Sequence, residues 1–169
     1  MYSTPAALHN TSTEVQVAKH PKERILPDRL APDAKGPMPS SNYIIQPSDR
    51  ILVTGASGFI GTKVVETLIE YGYPRVRCLV RGSSRRDRLN AVLRRLEHLH
   101  EVEIVVGDLN SREDCARAAE GVAVVLHLAA GFDKSFAGAF MNSALATRNL
   151  MDALLEHEQP VRFVNVSSF

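Results

Sequence analysis

The chain has 169 residues, an apolar fraction of 44% and a formal net charge of +1, values that are ordinary for a soluble globular protein with a buried core. The near-neutral charge argues against general binding to nucleic acid, and no apolar stretch approaches the roughly 18 residues of a membrane span. The first 20 residues lack the apolar core of a secretory signal. Cys78 and Cys115 show no metal-ligand spacing, so we expect reduced packing residues, no metal and a cytoplasmic protein.

The first 48 residues differ in composition from the rest of the chain. They hold seven of the nine prolines and little apolar periodicity, a composition that does not support helix or sheet. We therefore predict a disordered leader over residues 1–48 and one folded domain over residues 49–169.

From Arg50 onward, apolar runs of strand length alternate with amphipathic segments of helix length. We predict strands near residues 50–54, 75–80, 102–106, 122–127 and 161–166. Helices are predicted near 59–71, 85–98, 111–120 and 136–157. This alternation predicts an α/β fold, a doubly wound parallel sheet of the Rossmann type in the order 3-2-1-4-5. In the first helix, the spacing predicts one stripe buried against the sheet: Ile60, Val64, Leu68 and Ile69.

Three glycines spaced three apart follow the first predicted strand. Such glycines allow a tight turn, a close approach of backbone N–H groups to phosphate and close helix packing, while the helix N-terminus adds partial positive charge. A glycine-rich turn without a ligand is the usual alternative, but the flanking strand and helix favour a dinucleotide. We predict that this loop holds the pyrophosphate, with the binding residues Gly55, Ala56, Ser57, Gly58, Phe59, Ile60 and Gly61.

The residue at position 81 bears on the choice of cofactor. An Asp or Glu about 20 residues beyond the glycine loop binds the free ribose 2′-hydroxyl of NAD, and here the chain has Arg81. Because a guanidinium binds phosphate through paired, charge-assisted hydrogen bonds, Arg81 with Ser83 favours NADP over NAD. The alternative is that the arginines that follow only solvate an exposed helix face: Arg85, Arg86, Arg88, Arg94 and Arg95.

Further motifs lie at the ends of the other predicted strands. They are Gly107–Leu109, His127–Ala130, Asn142–Leu150 and Val164–Ser168. Together with Thr54–Gly61 they resemble the extended short-chain dehydrogenase/reductase family, also described as the NAD-dependent epimerase/dehydratase family. The resemblance covers about residues 50–169.

The resemblance implies roles for individual residues. Asp108, with Leu109 beside it, is expected to contact the adenine ring, and Leu128, Ala129 and Ala130 are expected to line the cofactor. Ser168, with Ser167 as the alternate, is expected to be the catalytic serine.

Structural alternatives stand beside these roles. Asp108 could cap the helix that starts near Ser111, and a serine at the last strand could only satisfy backbone groups. His127 ends an apolar strand and is interpreted as a satisfied core histidine without a catalytic role. Asn142 matches a structural asparagine of the family and could bond only to backbone.

The family's catalytic tyrosine, four residues before a lysine, has no match in this chain. The four tyrosines, Tyr2, Tyr43, Tyr71 and Tyr73, all precede the serine motif, and none has a lysine four positions later. Whether the chain is itself an enzyme is therefore left open. We expect the NAD(P)-binding portion of an oxidoreductase/epimerase-like enzyme, truncated before its substrate domain and inactive alone. Hydride would pass between a nicotinamide and a carbonyl, hydroxyl or sugar-like small-molecule substrate; the alternative is a noncatalytic NADP-binding sensor or interaction module.

The last predicted strand has no later strand to cover its outer edge. Phe163, Val164 and Val166 are expected on this unprotected, β-prone edge, which favours pairing or aggregation. We therefore expect a fragment of a larger reductase, or an oligomer or partner that covers the edge.

Overall fold

The computed structural model describes residues 45–131, 134–157 and 161–167. Most of the predicted leader, residues 1–44, lies outside the described residues, and Ile45 packs against the core. The strands are β1 (Ile51–Thr54), β2 (Val76–Val80), β3 (Glu103–Val106), β4 (Val124–His127) and β5 (Arg162–Asn165). The helical elements are α1 (Phe59–Glu70), α2 (Asp87–Arg95), α3 (Arg112–Ala119), α4 (Phe136–Ala139), a π turn (Phe140–Leu145) and α5 (Ala146–Leu155).

The five strands form one sheet in the order β3-β2-β1-β4-β5, and every neighbouring pair is parallel. This confirms the predicted fold class and strand order. Thr54, the last residue of β1, is paired with Leu79 on one side and with His127 on the other. The loops that follow β1, β2 and β4 therefore leave the sheet side by side, which is where a doubly wound fold binds its ligand.

Two apolar clusters cover the two faces of the sheet. Ile51 and Val53 of β1 point into a cluster with Val65 and Ile69 of α1. Leu52, between them, points into the opposite cluster with Leu150 of α5. Since successive side chains of a strand alternate between faces, one central strand is buried on both sides. Each fully buried side chain of this size stabilises the fold by about 1.5–3 kcal/mol.

The buried face of α1 differs from the predicted stripe. Ile69 is buried and Leu68 packs against the core, but Val64 is only partly buried and Ile60 is 60% exposed. The buried positions are Gly61, Thr62, Val65 and Ile69. The reason is that Gly61 packs against the loop after β1, as described below. This contact turns the buried face of α1 by about one residue relative to the predicted stripe.

The carboxyl end of α3 is bound by an arginine side chain of β2. At the carboxyl end, the buried Arg77 side chain donates from Nη1 to the carbonyl oxygens of Ala118 (2.9 Å) and Glu120 (2.7 Å). Its Nε donates to Glu103 Oε2 on β3 at 2.8 Å. These bonds join β2, β3 and α3 below the edge where the site lies.

The outer edge of β5 is open within the described sheet. Val164 and Val166 are 47% and 52% exposed. Phe163 is instead partly buried and packs against the cluster around Leu52, with its ring centroid 5.6 Å from that of His127. β5 is thus the edge strand on which Phe163 and Val164 were expected, with Val166 just after it. Alternation along the strand turns the Phe163 ring inward and leaves the two valines exposed. In the described part of the chain, none of the helices has the length and apolarity that a bilayer crossing requires.

Candidate functional site

A cavity of about 540 Å³ lies at the carboxyl ends of β1, β2, β3 and β4. The structure brings thirteen of the fourteen predicted cofactor-binding residues to its wall: Gly55, Ser57, Gly58, Phe59, Ile60, Gly61, Arg81, Ser83, Asp108, Leu109, Leu128, Ala129 and Ala130. Ala56 is the exception, because its side chain is fully buried in the core. Its carbonyl oxygen accepts a hydrogen bond from Thr62 Oγ1 at 3.0 Å, so Ala56 joins the loop to the first turn of α1.

The loop after β1 requires glycine at two positions. Gly55 has a φ of +67°, and a Cβ there would lie 2.9 Å from the backbone nitrogen of Ala129. A Cβ on Gly61 would lie 2.1 Å from the carbonyl oxygen of Gly55. The first glycine thus permits the turn and the contact with the β4 loop, and the second lets the helix fold back onto the turn.

The N-terminus of α1 faces the cavity without a cap of its own. Its N-cap residue, Gly58, makes no side-chain hydrogen bond, and the first turn has no acidic residue. The first helical bond runs from Thr62 N to Gly58 O at 2.9 Å. The N–H groups of Phe59, Ile60 and Gly61 therefore have no partner among the described residues. Unpaired amides at a positive helix end fit a diphosphate.

Asp108 is held at the cavity wall by backbone bonds. Its carboxylate Oδ1 accepts from Asn110 N at 2.9 Å, and its own N–H donates to Asp114 Oδ2 at 2.7 Å. The helix cap is instead Ser111, whose Oγ accepts from Asp114 N at 3.1 Å. The alternative in which Asp108 caps α3 is therefore wrong, because Ser111 is the residue directly before the helix.

The Asp114 carboxylate binds two groups of this turn, Asp108 N and the Arg117 guanidinium. The hydrogen bond from Asp108 N and the ion pair with Arg117 Nη2, at 2.6 Å, hold the pKa of its carboxyl below the ordinary value. The carboxylate is thus ionised at neutral pH and is engaged by the chain itself.

Arg81 follows β2 in a turn closed by a hydrogen bond from Ser84 N to Arg81 O at 3.0 Å. Arg81, Ser83 and Ser84 line the cavity, and the arginines of the next helix do not. The Arg88 guanidinium lies over the Phe59 ring at 5.9 Å, and Arg95 forms ion pairs with Glu66 and Glu70 of α1. The interpretation of Arg95 as a solvating residue is therefore incomplete, since it joins two helices.

His127 is a satisfied core histidine, as the sequence indicates. Its ring is buried and lies 2.8 Å from Thr54 Oγ1 through Nδ1 and 2.9 Å from Thr147 Oγ1 through Nε2. Burial lowers the pKa of the imidazole. Thr54 Oγ1 also accepts from the N–H groups of Leu128 and Ala129 at 3.2 Å each, so its proton goes to Nδ1 and the neutral ring donates from Nε2. This chain of bonds fixes the β4 side of the cavity.

The cavity wall includes residues outside the predicted set: Thr54, Leu79, Val80, Ser84, Gly107, Asn110, Asn142 and Ala146. The Oδ1 atom of Asn110 is buried without a hydrogen-bond partner in the described structure. Asn142 comes from the π turn and shows none of the expected side-chain bonds to backbone among the described residues. Proximity to a strand end could have indicated Asn110, two residues after Asp108.

Ser167, the alternate of the predicted catalytic serines, is not among the residues of the described cavity wall. Ser167 follows β5 and is exposed, and Ser168 lies outside the described residues. The catalytic role of either serine stays a prediction.

Both cysteines are buried, free and packed in the core. Burial raises the pKa of the Cys78 thiol to about 12 and that of Cys115 to about 11. This agrees with their interpretation as packing residues. Across the described ranges, no group of three or more His, Cys, Asp or Glu side chains is arranged to hold a metal ion.

Comparison with known proteins identifies related sequences and folds. Ketoreductase adrE of Penicillium roqueforti is 36% identical over 110 residues, which are 63% of this chain and 31% of that protein. NAD-dependent epimerase/dehydratase terH of Aspergillus terreus is 31% identical over 134 residues, 78% of this chain and 39% of the relative. The matched region thus spans well under half the length of these curated relatives.

A solved structure shows the same relation. A short-chain dehydrogenase/reductase superfamily protein from Agrobacterium tumefaciens, crystallised with bound NAD, is 33% identical with a TM-score of 0.53. The match covers 70% of this chain and 32% of that one. Residues 51–169 match the NAD dependent epimerase/dehydratase family. This segment contains the whole sheet and every residue of the cavity wall, and the chain belongs to the NAD-dependent epimerase/dehydratase family.

Proposed function

We propose that this chain binds NADP at the cavity beside α1 and forms the nucleotide-binding part of an oxidoreductase. The observation that carries the proposal is the set of unpaired N–H groups of Phe59, Ile60 and Gly61 at the cavity wall. They would hold the pyrophosphate, and the buried Thr54–His127 pair would keep the neighbouring loop in place. When bound, the cofactor supplies a nicotinamide that gives or accepts hydride.

The preference for NADP over NAD rests on the charge at the end of β2. Arg81 and Ser83 line the cavity where NAD-binding folds place an acid on the ribose. A guanidinium would bind a 2′-phosphate through charge-assisted hydrogen bonds. The cavity wall in the described residues contains one acidic side chain, Asp108, and it lies after β3 and not after β2.

The reaction class follows from the family and its members. The names of the related proteins, a ketoreductase and an epimerase/dehydratase, describe those proteins. For this chain we propose a carbonyl, hydroxyl or sugar-like substrate. We further propose that the 169 residues bind cofactor without turning it over, since none of the tyrosines has a lysine four positions later.

We also propose that the open edge of β5 is covered in solution by an oligomer contact or a partner. The exposed Val164 and Val166 support this proposal. Sedimentation tests it, because association is expected and a stable, monodisperse monomer would contradict it.

Titration of the purified chain with NADPH and with NADH tests the cofactor proposal. NADPH is expected to bind more tightly, and Arg81→Ser is expected to reduce the preference by about tenfold or more, since hydrogen bonds to charged groups contribute about 1.5–3 kcal/mol. Arg94→Ser is the matched control, because Arg94 is exposed on α2 and does not line the cavity. Tighter NADH binding by the unaltered chain would overturn the NADP preference, and failure of both nucleotides to bind folded protein would overturn the function.

A further inference from the structure

Asn149 is a buried polar side chain that lies outside the cavity. It belongs to α5 and is 4% exposed. Its Nδ2 donates to the carbonyl oxygens of Leu109 (3.0 Å) and Asn110 (3.3 Å). These two residues follow β3 and line the cavity, whereas Asn149 is not among the residues of the described cavity wall. The carboxamide therefore binds the turn after β3 without facing the ligand site.

One peptide group connects Asn149 to Asp108. The carbonyl oxygen of Leu109 and the N–H of Asn110 belong to the same planar, trans peptide group, so they point in opposite directions. Asn149 Nδ2 binds the oxygen, and Asp108 Oδ1 accepts from the N–H at 2.9 Å. A rotation of this peptide group would break both bonds, so its orientation fixes the position of the Asp108 carboxylate.

Helix α3 binds the same turn, but less directly. Asp108 N donates to Asp114 Oδ2 at 2.7 Å. Cys115 Sγ donates at 3.4 Å to the carbonyl oxygen of Leu109, the atom that Asn149 also binds. Because a thiol is a weak donor, the carboxamide makes the stronger bond to this oxygen. Asn149 is thus the main partner that sets the orientation of the peptide group.

The second oxygen of the Asp108 carboxylate is left for a ligand. Oδ2 has no hydrogen-bond partner among the described residues, and Asp108 lines the cavity. In the proposed site, Asp108 is expected at the adenine ring. A carboxylate oxygen accepts a hydrogen bond from the exocyclic amino group of adenine, whereas it repels the carbonyl oxygen that hypoxanthine has in the same place.

We propose that Asn149 is a positioning residue that sets a preference for adenine, because it orients the Asp108 carboxylate through the peptide group between Leu109 and Asn110. The inference rests on the proposed NADP site. Without the Asn149 bonds, the peptide group is free to rotate, and Asp108 Oδ1 loses its N–H donor. The carboxylate is then no longer held in one place, and its bond to the adenine amino group weakens.

Two nucleotides that differ only in the base test this inference. They are NADPH and reduced nicotinamide hypoxanthine dinucleotide phosphate. The unaltered chain is expected to bind NADPH at least about tenfold more tightly, the effect of one hydrogen bond to a charged group. Asn149→Leu keeps the size of the side chain and removes both of its bonds. It is expected to weaken NADPH binding by about tenfold, with the affinity for the hypoxanthine nucleotide within about twofold of the unaltered chain. Calorimetric titration measures both.

Two control variants separate positioning from stability. Ile69→Ala removes a buried side chain near the end of α1, in the cluster on the other face of the sheet. It is expected to lower the melting temperature without changing the base preference of the folded protein. Asp152→Asn changes a polar residue of α5 that pairs with Arg148 at 3.6 Å, and it is expected to leave both affinities unchanged.

A double variant tests the route through Asp108. Asp108→Ala is expected to abolish the base preference. Addition of Asn149→Leu to Asp108→Ala is expected to change the preference no further, since residues that act through one contact are not additive. A further change in the double variant would overturn the route through the Asp108 carboxylate.

Each remaining outcome also decides the question. Equal loss of both nucleotides in Asn149→Leu would indicate a general structural residue and overturn the inference, as would an unchanged NADPH affinity. An unaltered chain that binds both nucleotides equally would leave the proposed dinucleotide site standing and overturn the role of Asn149. An unaltered chain that binds neither would overturn the proposed function and this inference with it.

A measurement on the unaltered chain decides the question if Asn149→Leu does not fold. The side-chain amide resonances of Asn149 report on its bonds to the turn. NADPH is expected to shift them more than the hypoxanthine nucleotide does, and equal shifts at saturation would overturn the inference.

Discussion

Helices α1 and α3 begin at the same edge of the sheet, and they differ in whether a side chain caps their first N–H groups. At α3, Ser111 caps the helix with its side chain, and the first turn holds Glu113 and Asp114. At α1, Gly58 offers no side chain and the first turn has no acid. The α3 terminus is capped by Ser111, and its two acidic residues would repel an anion. The α1 terminus has neither a cap nor an acid, so its amides and its positive dipole would attract one. In the proposed function, the α3 terminus thus serves stability and the α1 terminus serves cofactor binding.

The largest expected effect comes from placing a side chain between α1 and its turn. In Gly61→Ala, the new Cβ would lie 2.1 Å from Gly55 O and 2.8 Å from Ala56 Cα, both backbone atoms. We expect NADPH binding to be lost and the free energy of unfolding to fall by about 1–3 kcal/mol, as for other overpacked sites. Denaturant unfolding and calorimetric titration measure the two effects.

Gly72→Ala is the control for a glycine substitution that lowers stability without a steric clash at the cavity. Gly72 has a φ of +83° and lies just after α1, and a Cβ there would meet nothing within 4 Å. This variant is expected to lose stability through its left-handed backbone alone, with the NADPH affinity of the folded protein unchanged. Normal NADPH affinity in Gly61→Ala would contradict the account of the loop.

A second change would make α1 resemble α3. Gly58→Asp introduces an N-cap and a negative charge at the cavity wall, at an extended position with φ of −71°. We expect NADPH affinity to fall at least about a hundredfold, because the carboxylate occupies the amides and repels phosphate. Gly58→Ala controls for the Cβ, which would lie 3.2 Å from Gly55 O. If both variants bind NADPH equally well, the charge and the cap are irrelevant and the comparison fails.

The converse change removes the cap of α3. Ser111→Ala leaves Asp114 N without its 3.1 Å acceptor, and loss of an N-cap costs about 1 kcal/mol of stability. We expect that decrease in thermal unfolding, with NADPH affinity unchanged per folded molecule. A large fall in affinity would mean that the two helix ends are coupled.

The smallest expected effect is a pH dependence at the same turn. The pKa of Asp114 is lowered in the folded chain, so its ionised carboxylate stabilises the fold at pH values above 3.8, the ordinary pKa. This contribution is lost as the pH falls through the lowered folded pKa. Asp114→Asn is expected to cost less than about 1 kcal/mol at pH 7, as for other exposed ion pairs. The difference from the unaltered chain should shrink in denaturant titrations as the pH falls through the ordinary value of 3.8 and below it. A constant difference across that range would assign the effect to packing.

The fold could be predicted because each of its signals is local. The apolar runs that became β1 and β2 are buried throughout, and the glycine spacing identified the turn between β1 and α1. Even here the rotation of α1 was missed, because periodicity alone does not reveal that Gly61 must face the turn. The edge position of Phe163 could be predicted from the strand order, whereas the contact of its ring with the core cluster and His127 could not, because it depends on packing against other elements.

The cavity wall was harder to predict where it depends on contacts between distant residues. Arg81 and Asp108 lie one and two residues after a strand, so strand ends located them. Asn142 reaches the site through a π turn within a segment that the sequence presents as one helix, and Asn110 through the turn before α3. Neither arrangement has a periodic signature, because both depend on backbone packing against another element.

The central claim is that the first amides of α1 bind the phosphates of the cofactor, and backbone NMR of the isotopically labelled chain tests it most directly. Addition of NADPH is expected to shift the N–H resonances of Phe59, Ile60 and Gly61 and to slow their hydrogen exchange, with those of Arg112 and Glu113 at α3 unchanged. NADPH binding that leaves the three α1 amides unperturbed, or no binding by the folded chain at millimolar ligand, would contradict the account.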